Sequence, residues 1–134
     1  MVCIYCGSKT AITNSRHQRS TNSTWRRRKC LNKACKAIFT TNEIAIYEQN
    51  WTIKSQETIS PFLRDKLYIS VYKSCGHRRN SVKDATFLTN TIINKLNAVI
   101  KDGTIDISDL LRICFDTLSN FDQIAATYYR AYYF

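Results

Sequence analysis

The amino-acid sequence predicts an α+β fold, in which a small β-rich N-terminal part precedes a mostly helical part. Residues 1–45 are polar, basic and poor in core-forming side chains, and β-prone residues alternate within them. The later residues carry Leu, Ile, Phe and Tyr at the three- and four-residue spacing of amphipathic helices. A chain of 134 residues has room for one ordinary domain, or for two small domains. At least one of two such small domains would need additional stabilisation by a cross-link or a metal ion. The change in composition places the domain boundary within residues 46–51.

Almost all of the net positive charge lies in the N-terminal part. Residues 1–41 hold nine basic side chains and no acidic one, whereas residues 42–134 hold 11 basic and 10 acidic side chains. Charge segregated in this way indicates an anionic partner; a merely solvated basic face is the alternative. The sequence shows neither a transmembrane run nor a secretory signal, which predicts a cytoplasmic protein without membrane contact and with reduced cysteines.

The N-terminal part is predicted to consist of short strands. Candidate strands cover residues 2–5, 10–15, 24–29 and 37–47, where β-prone side chains alternate in direction. A strand such as 37–47 can bury only one of its faces.

The C-terminal part is predicted to begin with a short β-hairpin. Strands at 51–54 and 58–60 flank the turn SQE, which lacks the glycine that usually supplies tight-turn geometry. A first helix follows Pro61 and ends at Cys75-Gly76. Its apolar stripe is expected to consist of Leu63, Leu67, Tyr68 and Val71.

Three further helices are predicted from capping residues and apolar stripes. Ser81, with Asp84 three residues later, has the pattern of a capping box, and the helix that it starts ends at the KDGT segment. Ser108 is expected to cap the third helix, and Ser119 or Asn120 to start the fourth. The side chains expected on their buried faces are Ala85, Leu88, Ile92, Leu96, Val99, Leu111, Phe115, Leu118, Ile124, Tyr128, Tyr129 and Tyr132.

Four cysteines form two close pairs, Cys3-x₂-Cys6 and Cys30-x₄-Cys35. A short gap lets both sulfurs of a pair face one point, which supplies half of a tetrahedral thiolate site for Zn²⁺. Gly7 permits the close backbone approach of such a turn, and two turns on neighbouring hairpins make a zinc ribbon. Few apolar residues are present, so a structural zinc would help decide whether this part folds. A disulfide and a catalytic thiol are the alternatives.

Basic residues next to the second cysteine pair are the candidate nucleic-acid contacts. Their charge exceeds what one zinc–thiolate site requires, so the expected polyanion is nucleic acid. On a strand they point alternately to its two faces. Two further arginines are expected in the loop between the cysteine turns. Trp25 is expected either to stack on a nucleic-acid base or to fill the apolar interior of the zinc ribbon. The complete candidate set is Arg16, Arg19, Arg26, Arg27, Arg28 and Lys29.

Several segments in order carry a resemblance to a known family: CIYC, SR, RRRKC, FTTNE, IK, PFLRDKL and the C-terminal ATYYRAYYF. With them the sequence resembles the NrdR family of bacterial transcriptional repressors of ribonucleotide reductase genes. The resemblance implies a zinc ribbon at 1–48 that binds double-stranded DNA, and an ATP-cone at 49–134 that binds ATP and dATP. It further implies a homo-oligomer whose assembly these adenine nucleotides control.

The resemblance also supplies nucleotide-binding positions. Phosphate-binding positions fall on Lys54 and Lys66, and pocket-lining positions on Thr52, Phe62 and Leu67. A lysine on a strand and one at a helix N-terminus can converge on a triphosphate, with assistance from the helix dipole.

The chain departs from the family pattern in the cysteine turn and in the cone. The second cysteine turn has four intervening residues where the family usually has two. Ser55 stands where the family has a phosphate-contacting arginine, the turn glycine is missing, and Asn, Thr and Tyr replace acidic or small residues elsewhere. Weaker, altered or absent nucleotide binding is therefore an open alternative.

No motif supplies a nucleophile with a base, an acid pair or an open catalytic metal site, so we expect no enzyme. ATP would be bound without hydrolysis, because no Gly-rich phosphate loop or Mg²⁺-binding carboxylate motif accompanies the cone. Two alternative functions stay open. One is a nucleotide-binding module that regulates a reductase or another enzyme by direct contact. The other is a ribbon for RNA or single strands beside a degenerate cone.

Overall fold

The computed structural model describes residues 1–134, which separate into two units, Met1–Ile46 and Tyr47–Phe134. The predicted α+β class is confirmed. Three strands and a cluster of four cysteines form the first unit, and three short strands with four helices form the second. None of the four helices combines the length and the apolar composition that a membrane crossing requires.

The first unit is an antiparallel sheet of β1 (Thr10–Gln18), β2 (Ser23–Cys30) and β3 (Ile38–Ile44), in that order. A 3₁₀ turn at Arg19–Thr21 joins β1 to β2, and Asn22 closes it with a left-handed φ of 45°. Asparagine is one of the few side chains that tolerate this backbone region.

Two sequence expectations for the first unit are wrong. Residues 2–5 form no strand beyond a single bridge between Val2 and Lys9, because the first cysteine turn occupies them. β1 continues to Gln18, so Arg16 lies on a strand and not in a loop, and only Arg19 occupies the turn.

A β-bulge interrupts β1 at Thr13. Ile12 lies opposite Arg28 and Asn14 lies opposite Arg27, so no residue of β2 lies directly opposite Thr13. The Thr13 hydroxyl donates a hydrogen bond to the Arg27 carbonyl oxygen at 3.2 Å. Residues directly opposite one another share a sheet face. Ile12 and Asn14 therefore face opposite sides, although they are two residues apart.

Very little apolar surface is buried in the first unit. Phe39 is buried together with Cys3 and Cys30, and Cys35 and Ala37 pack against them. A cluster of this size is too small to hold a domain without a cross-link or a metal.

The second unit contains a sheet in the order β5-β4-β6, made of β4 (Thr52–Ser55), β5 (Thr58–Pro61) and β6 (Thr104–Asp106). β4 pairs antiparallel with β5, as the predicted hairpin requires, and Gln56 supplies the turn with a φ of 39° in place of a glycine. β6 pairs parallel with β4 and was not predicted.

Four helices complete the second unit: α1 (Arg64–Ser74), α2 (Ser81–Val99), α3 (Ile107–Phe121) and α4 (Gln123–Tyr133). Cys75 and Cys114 are packing residues, because both side chains are fully buried. The hydrophobic core of the second unit contains these two cysteines together with Trp51, Phe62, Leu67, Val71, Ala85, Leu88, Ile92, Ile93, Leu96, Ile105, Leu110, Leu118, Ala125, Ala126 and Tyr129.

The predicted capping box of α2 is wrong. Ser81 is the first helical residue, and the N-cap Asn80 makes no side-chain capping bond. The Asp84 carboxylate accepts a hydrogen bond from Arg78 Nε at 2.7 Å instead of reaching back to the backbone. Val99, expected to be buried at the end of this helix, is exposed.

The predicted cap of α3 is also wrong, because the N-cap is Asp106. Its carboxylate accepts hydrogen bonds from Ser108 N at 3.0 Å and from Ser108 Oγ at 2.7 Å. The buried stripe runs through Leu110, Cys114 and Leu118. The predicted residues Leu111 and Phe115 are only half-buried beside it.

Asp122 ends α3 and caps α4, so the start predicted at Ser119 or Asn120 is wrong. Its carboxylate accepts hydrogen bonds from Ile124 N at 2.8 Å and Ala125 N at 3.2 Å. Tyr129 is buried as expected, together with Ala125 and Ala126. Of the remaining side chains expected on buried stripes, Tyr68 is half-buried, and four are exposed: Leu63, Ile124, Tyr128 and Tyr132.

Candidate metal centre and nucleic-acid interface

The four N-terminal cysteines bring their sulfurs to one point. The Sγ atoms of Cys3 and Cys35 lie 3.9 Å apart, those of Cys6 and Cys30 lie 3.5 Å apart, and all four lie within 4.8 Å of one another. Zinc bonded to four thiolates at ~2.3 Å places neighbouring sulfurs about 3.8 Å apart. A disulfide would need about 2.05 Å. The cluster therefore fits a closed tetrahedral zinc site and excludes a disulfide.

Each cysteine pair is held by a backbone turn that ends in a left-handed residue. In the first turn Gly7 N donates to the Cys3 carbonyl at 2.9 Å, and Gly7 has a φ of 70°. In the second turn Lys36 takes the same role with a φ of 52°. The two extra residues of this turn allow the Asn32 carbonyl to accept from both Cys35 N and Lys36 N.

Hydrogen bonds and burial act oppositely on the two closest thiols. Hydrogen bonds from the side chain and backbone of Ser8 lower the pKa of Cys6 to about 6. Burial raises the pKa of Cys30 to about 12, against a lowering hydrogen bond from the Asn32 backbone. A dication in the cluster offsets the repulsion among neighbouring thiolates, so all four could bind in their charged form.

The two faces of the sheet differ in how their polar side chains are used. On the braced face, defined here by Arg26 and Arg28, the cations are engaged within the protein. Arg26 forms an ion pair with Glu43 at 2.5 Å. Arg28 donates from Nε to Thr41 Oγ1 at 3.2 Å and from Nη1 to Thr10 Oγ1 at 3.5 Å.

The opposite side, which we name the open face, carries cations without internal partners. By strand register it holds Arg16, Arg27 and Lys29, whose side chains make no hydrogen bond or ion pair and are exposed. No acidic residue lies on this face. The bulge at Thr13 brings Arg16 to it, because regular pairing from the start of β1 would place Arg16 on the other side.

Two cross-strand rows form the middle of the open face. The first row is Asn14, Arg27 and Thr40, and the second is Arg16, Trp25 and Asn42. Trp25 is half-buried between Arg16 and Asn42 on the sheet side opposite Phe39, so its ring belongs to the open face and not to the buried cluster. The two asparagines are polar members of this surface that no sequence motif marks, since only the strand register places Asn14 opposite Arg27 and Asn42 opposite Trp25.

Three of the candidate nucleotide-binding residues meet at one cavity in the second unit. Phe62, Lys66 and Leu67 line a cavity of about 210 Å³ between α1, α3 and α4. Tyr129 and Tyr133 close another side, and Lys66 is the one charged residue in the lining. Lys66 is also in the first turn of α1, where the helix dipole favours an anion.

The other two candidates, Thr52 and Lys54, do not line this cavity. Ile53, between them on β4, does, and successive strand residues point to opposite faces. Lys54 lies opposite Asp106 on β6 and contributes to holding the pKa of that carboxyl low, after the larger effect of hydrogen bonds from Ser108.

Comparison with known proteins places the chain in a family. Residues 1–43 match the family model described as the N-terminal domain of NrdR-like transcriptional repressors. A transcriptional repressor NrdR of Tropheryma whipplei is 31% identical over 126 residues, which are 93% of this chain and 82% of the relative. The chain belongs to the NrdR family of transcriptional repressors. NrdR proteins of Streptococcus gordonii and Streptococcus pneumoniae are 29% and 28% identical, each over 98% of this chain and 85% of the relative.

Membership of the NrdR family confirms two expectations. The resemblance seen in the sequence is correct, and the family is one of transcriptional repressors, so the chain is not expected to catalyse a reaction. The match of the NrdR N-terminal domain to residues 1–43 also covers the four-cysteine cluster, which supports zinc as its metal.

Proposed function

We propose that this chain is a DNA-binding transcriptional repressor that uses the open face of its zinc ribbon to hold double-stranded DNA. The main support for this proposal is that Arg16, Arg27 and Lys29 lie on one face of the sheet. That face has no acidic residue, and these three side chains have no partner within the protein. Unpaired cations on a rigid platform suit a polyphosphate backbone, since neutralised phosphates release counterions. Arg19 is exposed in the turn between β1 and β2 and would add a further phosphate contact. Zinc would be held by Cys3, Cys6, Cys30 and Cys35, and would keep that platform folded.

We further propose that the second unit binds ATP or dATP and that the bound nucleotide sets the oligomeric state of the repressor. The cavity near Lys66 supports this, because it combines aromatic walls for a base with one cation at a helix N-terminus for phosphate. Residues 1–48 would then be the DNA-binding domain and 49–134 the nucleotide-binding domain. Ribonucleotide reductase genes are the target that the family resemblance implies.

One binding experiment separates this function from its two alternatives. The zinc-loaded full chain is titrated against labelled duplex DNA, single-stranded DNA and RNA at 50–200 mM salt, with and without dATP. We expect duplex to bind best, affinity to fall steeply with salt, and dATP to change the sedimentation coefficient. Binding of dATP without salt-dependent duplex binding would favour direct regulation of an enzyme. A preference for single strands would favour the RNA-binding or single-strand function.

A further inference from the structure

The open face contains, beside its cations, two exposed amides that nothing else in the fold uses. Asn14 on β1 and Asn42 on β3 make no side-chain hydrogen bond. On the braced face the polar side chains other than Ser15 make hydrogen bonds or ion pairs within the protein, as His17 does with Thr24 and Arg28 with Thr41. Asparagine is depleted in strands, so two free asparagines inside strands carry a cost that packing does not offset here.

Side-chain length divides the open face into two kinds of contact. Arg16, Arg27 and Lys29 are long enough to reach outward to phosphates around a docked surface. The amides of Asn14 and Asn42 are short and reach only what lies directly on the sheet. Neighbouring strands are ~4.8 Å apart and alternate residues ~6.8 Å apart, so the two rows cover a patch about 10 Å by 7 Å. These are distances between Cα atoms; with its length of about 10 Å along the groove, the patch takes up about 7 Å of a major-groove width of about 12 Å.

We propose that Asn14 and Asn42 read base edges in the major groove, each through a bidentate hydrogen bond to an adenine. An asparagine amide offers one acceptor and one donor with the spacing of adenine N6 and N7. This inference rests on the proposed function, because it needs the open face to lie on duplex DNA. The cations then supply affinity for any duplex, and the two asparagines select among sequences.

The experiment is a selection from a randomised duplex library with the zinc-loaded full chain. Wild type should recover sites with adenine at defined positions. Asn42→Ala should lose the preference at one of them and bind the wild-type site roughly 5- to 150-fold more weakly, the range for one bidentate contact. Its salt slope and its affinity for random duplex should stay unchanged. Asn14→Ala should do the same at a different position.

Two variants make the test specific. Asn42→Asp should move the preferred base at its position from adenine toward cytosine, whose N4 amino group a carboxylate accepts. Ser15→Ala, next to Asn14 on β1 but on the braced face, is the control and should leave the adenine preferences intact. Zinc content and circular dichroism establish that each variant is folded.

The outcomes distinguish a failure of the base-readout proposal from a failure of the proposed DNA-binding function on which it rests. If wild type binds no duplex, the proposed function fails first. If wild type binds duplex and the asparagine variants recover the same sites, the readout assignment is overturned while DNA binding stands. Equal weakening on selected and random duplex would likewise overturn it, since that pattern belongs to a backbone contact.

Discussion

The neighbouring residues Arg26 and Arg27 provide a matched test of which face meets DNA. They are the same residue type on the same strand, but Arg26 is paired with Glu43 and Arg27 has no partner. A phosphate contact contributes about 0.9 to the slope of log affinity against log salt. Arg27→Ala should therefore lower the magnitude of that slope by about 0.9 for each bound ribbon, whereas Arg26→Ala should leave it nearly unchanged.

The size of this effect is measurable by fluorescence anisotropy. Between 50 and 200 mM salt, a slope of 0.9 corresponds to an affinity change of about 3.5-fold. The affinity ratio of wild type to Arg27→Ala should therefore be about 3.5 times smaller at 200 mM than at 50 mM salt. The three open-face cations together correspond to about 40-fold. Equal slopes for the Arg26 and Arg27 variants, or a larger change for Arg26→Ala, would refute the division of the sheet into an open and a braced face.

Three further predictions concern metal, nucleotide and acid. Cys30→Ser should unfold the ribbon and keep the helical signal at 222 nm; full zinc retention by elemental analysis would contradict the ligand assignment. Lys66→Ala should weaken dATP binding in calorimetry by roughly 10- to 150-fold, as for one charge-assisted hydrogen bond, and clearly more than Lys54→Ala does. Arg78, with His77, holds the pKa of Asp122 below its usual range, so its stabilisation is present above a pH of about 4 and is lost as pH falls further. Asp122→Asn should cost about 1–2 kcal/mol in urea unfolding at pH 7 and progressively less below pH 4, and a pH-independent cost would exclude the ion pair as its cause.

Features that depend on spacing along the chain could be predicted from the sequence. The cysteine pairs, the segregated charge and the hairpin without glycine appear in the structure as expected. The stripe of α2 is also correct from Ala85 to Leu96, because its apolar residues recur at three and four positions; the burial of Ile93 beside Ile92 was not expected.

Features that depend on competition between nearby groups could not be predicted. Asp84 has the spacing of a capping residue, but Arg78 from the preceding loop takes its carboxylate. In α3, adjacent Leu110 and Leu111 offer two apolar stripes about 100° apart, and only tertiary packing selects the first. β6 has three residues, too few for any alternation, and its pairing with β4 spans two helices.

The candidate DNA surface shows the same limit. Composition identifies the cations, but strand register decides that Arg27 is free and that Arg26 is held by Glu43. No pattern in the sequence marks Asn14 and Asn42, because their presence on one face depends on two different strand pairings.

The unpaired Thr13 gives the ribbon tolerance to a change in chain length. Because Thr13 is extra to the β1–β2 ladder, deleting it would restore regular alternation without changing the side on which Arg16 stands. A deletion of one residue after Asn14 removes a paired residue, so the side chains of the rest of the strand would move to the opposite face of the sheet. One residue can therefore be lost at Thr13 without moving Arg16 off the open face.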